Sequence, residues 1–535
     1  MTWTPLRADL VAALRIRRHA VPRSVIEKAT ERRLAGDWRG ACAAANLDVA
    51  FELDDVADRF GAELASRLAD DLPHFAPDLL RWHLPRAGGG QTTIAPRQVL
   101  GLARYGGGAR AAALQVVTPR HVHGPQRPRL VVLPWSEETR DWTSAPHMFD
   151  ARRSGDLLKY CGGGDRAPFF HPDGTPLAPE ELPASPPEGG PALHEWAVLA
   201  YERGDVEAAF DAVGIDFDLT GDERYPRWLN AATYASAPVA PALLAREIAR
   251  HPGGPPPLWV AVRPYQELVV RAGGKRTRPL LRPVSRGERA KRAVELPEHR
   301  WRRLPDLDLL RAGMATPDEL HPLVAAALFP ARPPASGPPG MAPPAPTRVR
   351  CGGEWHEVMP GGLGLLMPHT AEERRSEAAP PAPGGRVQGC FAVQRMWRRG
   401  GGWLPRSLRE YRREVFLCVQ HGDTEAVLRL LDEGLDPFVR DGRRRTLLHQ
   451  IHLMDHEALL PRLLGAGLGL EDVDHEKRTP LHVAVGESGS PEVVRALVEA
   501  GARTGVRDSH GRSLQKMIKG YGRTELEWLR DEPKR

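Results

Sequence analysis

Apolar residues in the last third of the chain recur at helical spacing. Ala458, Leu459, Leu463 and Leu464 fall on one stripe, and Val493, Val494, Leu497 and Val498 on another. Gly467 and Gly501 follow these stripes, and Gly434 stands at the matching place further upstream, where a left-handed helix end favours glycine. Upstream the pattern changes. Short apolar runs at 113–117, 130–133, 258–262 and 268–270 read as strands set among helical segments. Segments 347–351 and 354–358 flank Gly352-Gly353 and predict a hairpin, and a helix is predicted over 390–399. Mixed α and β structure is therefore expected first, and helices alone at the end.

The helical third repeats itself. Thr446-Leu447-Leu448-His449 returns as Thr479-Pro480-Leu481-His482, Asp441 as Asp474 and Gly434 as Gly467, each after 33 residues. One residue added after Val485 makes the next offset 34: Asp474 to Asp508, Gly467 to Gly501, Thr479 to Ser513. Thr446 and Thr479 suit a helix start and Pro480 its first turn. Such units bury their apolar faces only by stacking.

These residues resemble the ankyrin repeat, most specifically at 479–484, 463–467 and 494–502. The resemblance covers about 408–530. It implies roughly four helix pairs, the first with Phe416 at the histidine position and the last degenerate at Ser513-Leu514-Gln515-Lys516. It implies an all-α solenoid that binds a protein partner through its turn tips and inner helices, with the T-P-L-H residues structural. The contact candidates are then Asp441, Arg443, Arg444, Asp474, His475, Glu476, Lys477, Asp508, Ser509 and His510.

The mixed region also carries an echo. Gly36-Asp37, Ala41 and Asn46-Leu47-Asp48 match Gly204-Asp205, Ala209 and Gly214-Ile215-Asp216 at an offset of 168, and Pro77-Asp78-Leu79-Leu80 matches Pro241-Ala242-Leu243-Leu244 at 164. Two diverged copies of one α+β unit are expected, over 1–185 and 190–330. The runs at 113–117 and 130–133 would correspond to those at 258–262 and 268–270. The same Gly-Asp motif, Gly422-Asp423 with Ala426 and Gly434-Leu435-Asp436, opens the repeats, and shared helix-turn chemistry competes with an ankyrin-like origin for that likeness. A Pro-rich linker (331–346), a hairpin-and-helix adaptor (347–405) and the repeats (408–530) follow. Pro and Gly also concentrate at 182–191 and 376–385.

Composition sharpens this. Glycine and proline number 53 and 52, which fits linkers between folded parts of a soluble 535-residue chain. The net charge of +6 comes from 74 basic residues, 66 of them Arg, interspersed with 68 acidic ones. A GC-rich genome accounts for that arginine bias, and nucleic-acid binding requires clustered cations instead. The densest basic run is Arg271, Lys275, Arg276, Arg278, Arg282, Arg286, Arg289, Lys291 and Arg292. Five cysteines, no two closer than 28 residues, argue for a reducing, cytoplasmic setting. No secretory or membrane-spanning apolar run is present.

The sequence contains no phosphate loop, nucleophile elbow or HExxH. Gly106-Gly107-Gly108 and Gly162-Gly163-Gly164 read as loops. His121-Val122-His123 would place two imidazoles on one strand face, and Cys351 with His356 would form a thiol–imidazole pair lacking a third member. No cofactor and no metal site are expected. The whole chain resembles the ankyrin repeat proteins of high-GC actinobacteria, and a non-catalytic adaptor is the expected function. The rivals are an enzyme or effector within 1–330 directed by the array, and a nucleic-acid-associated protein using the basic run.

Overall fold

Asp37 and Asp205 do the same local work. Each follows a glycine at positive φ (Gly36 at 78°, Gly204 at 91°), and each accepts a backbone N–H from the helix it caps, from Gly40 at 2.8 Å and from Ala208 at 3.4 Å. Each helix leads to another left-handed residue, Asn46 or Gly214, and then to a two-residue strand. In the computed structural model the described residues are 4–530 except 89, 108–110, 219–236, 251–256, 264–265, 272–277, 285–293, 362–363, 371 and 374–387. The chain divides into two units: 1–118 with 128–339, and 119–127 with 340–535.

The first unit opens with α1 (Thr4–His19), α2 (Arg23–Leu34), α3 (Trp38–Ala44), β1 (Asp48–Val49), α4 (Leu53–Phe60), α5 (Ala62–Asp71) and α6 (Pro77–His83). Strands β2 (Val99–Tyr105), β3 (Ala112–Val117), β4 (Arg129–Leu133) and β5 (Thr139–Asp141) precede the short α7 (Leu157–Tyr160). Next come α8 (Gly190–Glu202), α9 (Val206–Asp211), β6 (Asp216–Phe217), α10 (Pro241–Ala249), β7 (Leu258–Arg263), β8 (Gln266–Arg271), β9 (Leu280–Val284), β10 (Val294–Glu295), α11 (Pro305–Arg311) and α12 (Pro322–Leu328).

The two sheets have one topology. Their orders are β1-β4-β3-β2-β5 and β6-β9-β8-β7-β10, which interconvert on adding five to each strand number. In both, the central three strands are antiparallel and both outer strands pair parallel. Both second strands carry a register shift, at Gly101/Ala103 and at Ala261/Arg263. Antiparallel bridges Phe75 to Asp150 and Val239 to Arg302 precede the equivalent helices α6 and α10.

This geometry corrects the strand correspondence read from the sequence. The counterpart of β7 is β2, and that of β8 is β3. The apolar pattern missed β2 because Gly101 interrupts it, and missed β9 because Pro283 does. Gly101 is required there: a Cβ would lie 2.4 Å from the Trp135 ring. Each sheet packs on its own helices, with Leu64, Leu68, Leu100, Leu114 and Val132 in one core and Phe210, Leu244, Val260, Leu268 and Val270 in the other. A third core, containing Trp82, Phe170, Val198, Leu307 and Phe329, draws on segments that accompany both sheets. Above it the buried Asp306 takes Arg17 Nε at 3.0 Å and Trp82 Nε1 at 3.0 Å.

In the second unit β11 (Thr347–Cys351) and β12 (Glu354–Gly361) form the expected hairpin, extended by β13 (Gly364–Leu366). Helix α13 (Gly389–Arg399) leads to four helix pairs. These are α14 (Arg406–Gln420) with α15 (Thr424–Asp432), a 3-10 helix (Leu447–Leu453) with α16 (His456–Gly465), α17 (Pro480–Gly486) with α18 (Pro491–Glu499), and α19 (Leu514–Gly520) with a 3-10 turn (Thr524–Arg530). One apolar core runs from Val349 and Val358 through Trp397, Leu430, Leu463 and Leu497 to Leu529, so hairpin, α13 and array share an interior. The expected strand at His121–His123 is absent. These residues form a turn within the second unit, where His121 Nδ1 lies 2.8 Å from Ser488 Oγ. The stretch 376–385 lies outside the described residues.

Candidate functional site

The three turn tips are built alike. Asp441 Oδ1 accepts the N–H groups of Arg443 and Arg445, both at 2.8 Å. Asp474 Oδ1 does the same for Glu476 (2.8 Å) and Arg478 (3.0 Å), and Asp508 Oδ1 for His510 (2.9 Å) and Arg512 (2.8 Å). These carboxylates therefore point into their turns and hold them, as Asp side chains do in Asx turns. Burial works against the Asp474 carboxylate, but the N–H and guanidinium of Arg478 outweigh it and hold its pKa below the usual value.

The tips are also joined to one another. His475 N donates to Arg443 O at 3.0 Å, and Ser509 N donates to Glu476 O at 2.8 Å. The result is a continuous ledge. Arg443, Arg444, His475, Lys477, Ser509 and His510 are exposed on it, while Glu476 is half-buried and pairs with Arg478 Nε at 3.2 Å. Arg444 and Lys477 occupy equivalent positions at φ 62° and 56°, and the third turn has Gly511 there at 68°.

Behind the ledge lies a buried ion network that the sequence reading did not find. Arg445 NH1 donates to Glu487 Oε2 at 3.0 Å, its NH2 donates to Glu487 Oε1, and Arg478 NH1 reaches Glu487 Oε1 at 3.4 Å. Arg478 Nε bonds Asp474 Oδ2 at 3.0 Å, and Arg512 Nε bonds Asp508 Oδ2 at 2.7 Å. The recurrence of Arg four residues after each Asp (445, 478, 512) is the signal that would have revealed these arginines. Glu487 lies outside that spacing and has no such signal.

The T-P-L-H residues are structural, as the resemblance implied. Thr446 Oγ1 lies 2.9 Å from His449 Nδ1, and His449 Nε2 is 3.1 Å from the Arg478 carbonyl of the next unit. Thr479 and His482 repeat the first contact at 2.9 Å. Burial pushes the His449 pKa down to about 4, so the ring is neutral and bridges repeats as donor and acceptor.

The other sequence candidates divide. Gly162 and Gly163 form a packing corner, where a Cβ would meet the His194 ring at 2.4 Å or the Leu158 carbonyl at 2.6 Å; no phosphate cradle is left. Burial pushes the neighbouring Cys161 thiol up to about 12, which removes it as a nucleophile near neutral pH. Of the basic run, Arg278 pairs with Asp211 at 2.8 Å and Asp216 at 3.3 Å. Lys275, Arg276, Arg286, Arg289, Lys291 and Arg292 lie outside the described residues. Cys351 and His356 do sit together, but not as an isolated pair. His369 and Cys390 join them, so the expectation that no metal-ligand set forms needs correction: four donors meet at one point. Spacing concealed the set, because the donors stand 5, 13 and 21 residues apart in turn.

A family model described as ankyrin repeats (three copies) matches residues 415–508. The human transient receptor potential cation channel subfamily A member 1 is 36% identical over 137 residues, an alignment covering 19% of this chain and 12% of the channel. Residues 415–508 are ankyrin repeats. Among the described residues no helix is long and apolar enough to cross a membrane.

Proposed function

We propose that the ankyrin repeats make this protein a non-catalytic adaptor, which binds an acidic surface of a protein partner through Arg443, Arg444, His475, Lys477, Ser509 and His510. The observation that carries this reading is the backbone at Arg444 and Lys477. Left-handed φ costs a residue with a Cβ about 1–2 kcal/mol, and glycine occupies the same place at 511 without that cost. Two long cations are held where glycine would be easier, and both face solvent. Strain retained at an exposed position is a mark of use.

Charge supports the choice of partner. The tip carboxylates turn inward and the exposed side chains of the ledge are cationic or neutral, so an acidic surface is the complement. Five cysteines outside any disulfide fit a reducing cytoplasmic location. The test is capture from native host lysate at low and high salt. Full-length protein should retain a partner that salt releases. The Arg444→Glu/Lys477→Glu variant should lose it, and Arg429→Glu on α15 should keep it. Equal recovery by all three would remove the ledge from the account.

A further inference from the structure

Four donor atoms from separate segments converge beside the hairpin. Cys351 ends β11 and His356 lies in β12. Pairing of Val349 with His356 and of Cys351 with Glu354 puts both donors on the face that carries the buried Val349 and Val358. His369 follows β13, and Cys390 stands in the first turn of α13. Cys351 Sγ is 3.6 Å from His369 Nε2, His356 Nδ1 is 3.1 Å from His369 Nε2, and Cys390 Sγ is 3.5 Å from His356 Nδ1. All four donor atoms lie within 4.8 Å of one another.

Three of the six distances among these donors match the edges of a coordination tetrahedron. Zinc bonds of about 2.3 Å to sulfur and about 2.05 Å to nitrogen set S···N edges near 3.6 Å and N···N edges near 3.3 Å. Hydrogen bonding would explain any single pair, but does not require all four atoms around one point. The second nitrogens of both rings turn toward carboxylates, as ion-pair neighbours beyond hydrogen-bond distance. His369 Nδ1 faces Glu373 Oε2 at 3.6 Å, and His356 Nε2 faces Glu354 Oε2 at 3.9 Å. Gly389 permits the approach: at its φ of 63°, a Cβ would lie 2.5 Å from Cys351 Sγ and 2.9 Å from Cys351 Cα.

We infer that Cys351, His356, His369 and Cys390 bind one Zn(II) ion in a closed Cys2His2 site. Four protein ligands leave no position for substrate, which makes the site structural. The mixed thiolate–imidazole set and tetrahedral arrangement select zinc over calcium or magnesium. The metal would clamp the hairpin to α13. That helix is itself seated on the array, through Arg398 Nε to Asp436 Oδ2 at 2.8 Å and Trp397 stacked on Tyr411. The small zinc-held element thereby closes the N-terminal end of the repeat stack, where a solenoid needs a cap.

The experiment uses the untagged full chain, kept reduced. Metal analysis should find about one zinc per chain. After removal by chelator, Co(II) alone should restore one equivalent and produce the visible absorption of tetrahedral cobalt with thiolate ligands. Cys351→Ser/Cys390→Ser should abolish that absorption, and zinc should shield two of the five cysteines from alkylation. Reduced wild-type chain with intact circular dichroism that takes up neither metal overturns the inference. So does a Cys351–Cys390 disulfide as the form isolated from cells. If the double variant fails to fold, the wild-type cobalt titration and alkylation pattern still decide.

Discussion

Arg444 and Lys477 carry side chains on backbone that suits glycine, and this sets two measurable quantities against each other. Arg444→Gly or Lys477→Gly is expected to raise the stability of the full chain by about 0.5–1 kcal/mol in urea unfolding while weakening partner binding. A gain in stability with unchanged binding would mean the tips are merely solvated turns. The histidines act in the opposite direction with pH. Burial lowers His449 and His452 from 6.5 to about 4. The unfolded chain therefore takes up these protons first on acidification. Their contribution to stability is complete above about pH 6.5 and is lost as pH falls toward 4. Unfolding midpoints recorded between pH 7 and 5 should fall, with a shallower slope for His449→Gln. At this scale the sequence was most legible where partners lie within one turn, as Thr446 and His449 do. It was less so at Asp441, Asp474 and Asp508. Their positions were evident, but the inward direction of their carboxylates depends on turn geometry.

Single elements show why the common topology of the two sheets could be read only in part. The Gly-Asp caps were visible because a glycine, a capping carboxylate and the next helix are neighbours in sequence. They should also be separable by mutation. Asp37 accepts at 2.8 Å and Asp205 at 3.4 Å, so Asp37→Ala should cost about 1 kcal/mol and Asp205→Ala less, in parallel urea titrations. Equal losses would show that the caps do not act through these bonds. The strands were harder. β2 is interrupted by Gly101 and β9 by Pro283, so the apolar pattern ran on to the next strand and shifted the correspondence. The two outer strands of each sheet were missed because at most three residues leave no periodicity to detect.

For the molecule as a whole, a local reading lacks convergence across distance. Cys351 and Cys390 stand 39 positions apart, and the donor set needs the hairpin, the segment after β13 and α13 together. The ion network of Arg445, Arg478 and Glu487 likewise joins two repeats and a turn. The array was legible because its contacts recur at 33 residues and each unit predicts the next. The proposed function rests on what the ledge presents: exposed cations above carboxylates that are turned inward. The most direct measurement is the affinity of the full chain for the partner it captures, compared with that of Arg444→Glu/Lys477→Glu at fixed ionic strength. The expected result is a loss of at least about tenfold, or 1.4 kcal/mol, which diminishes as salt rises. Affinities equal within about twofold at low salt would contradict it.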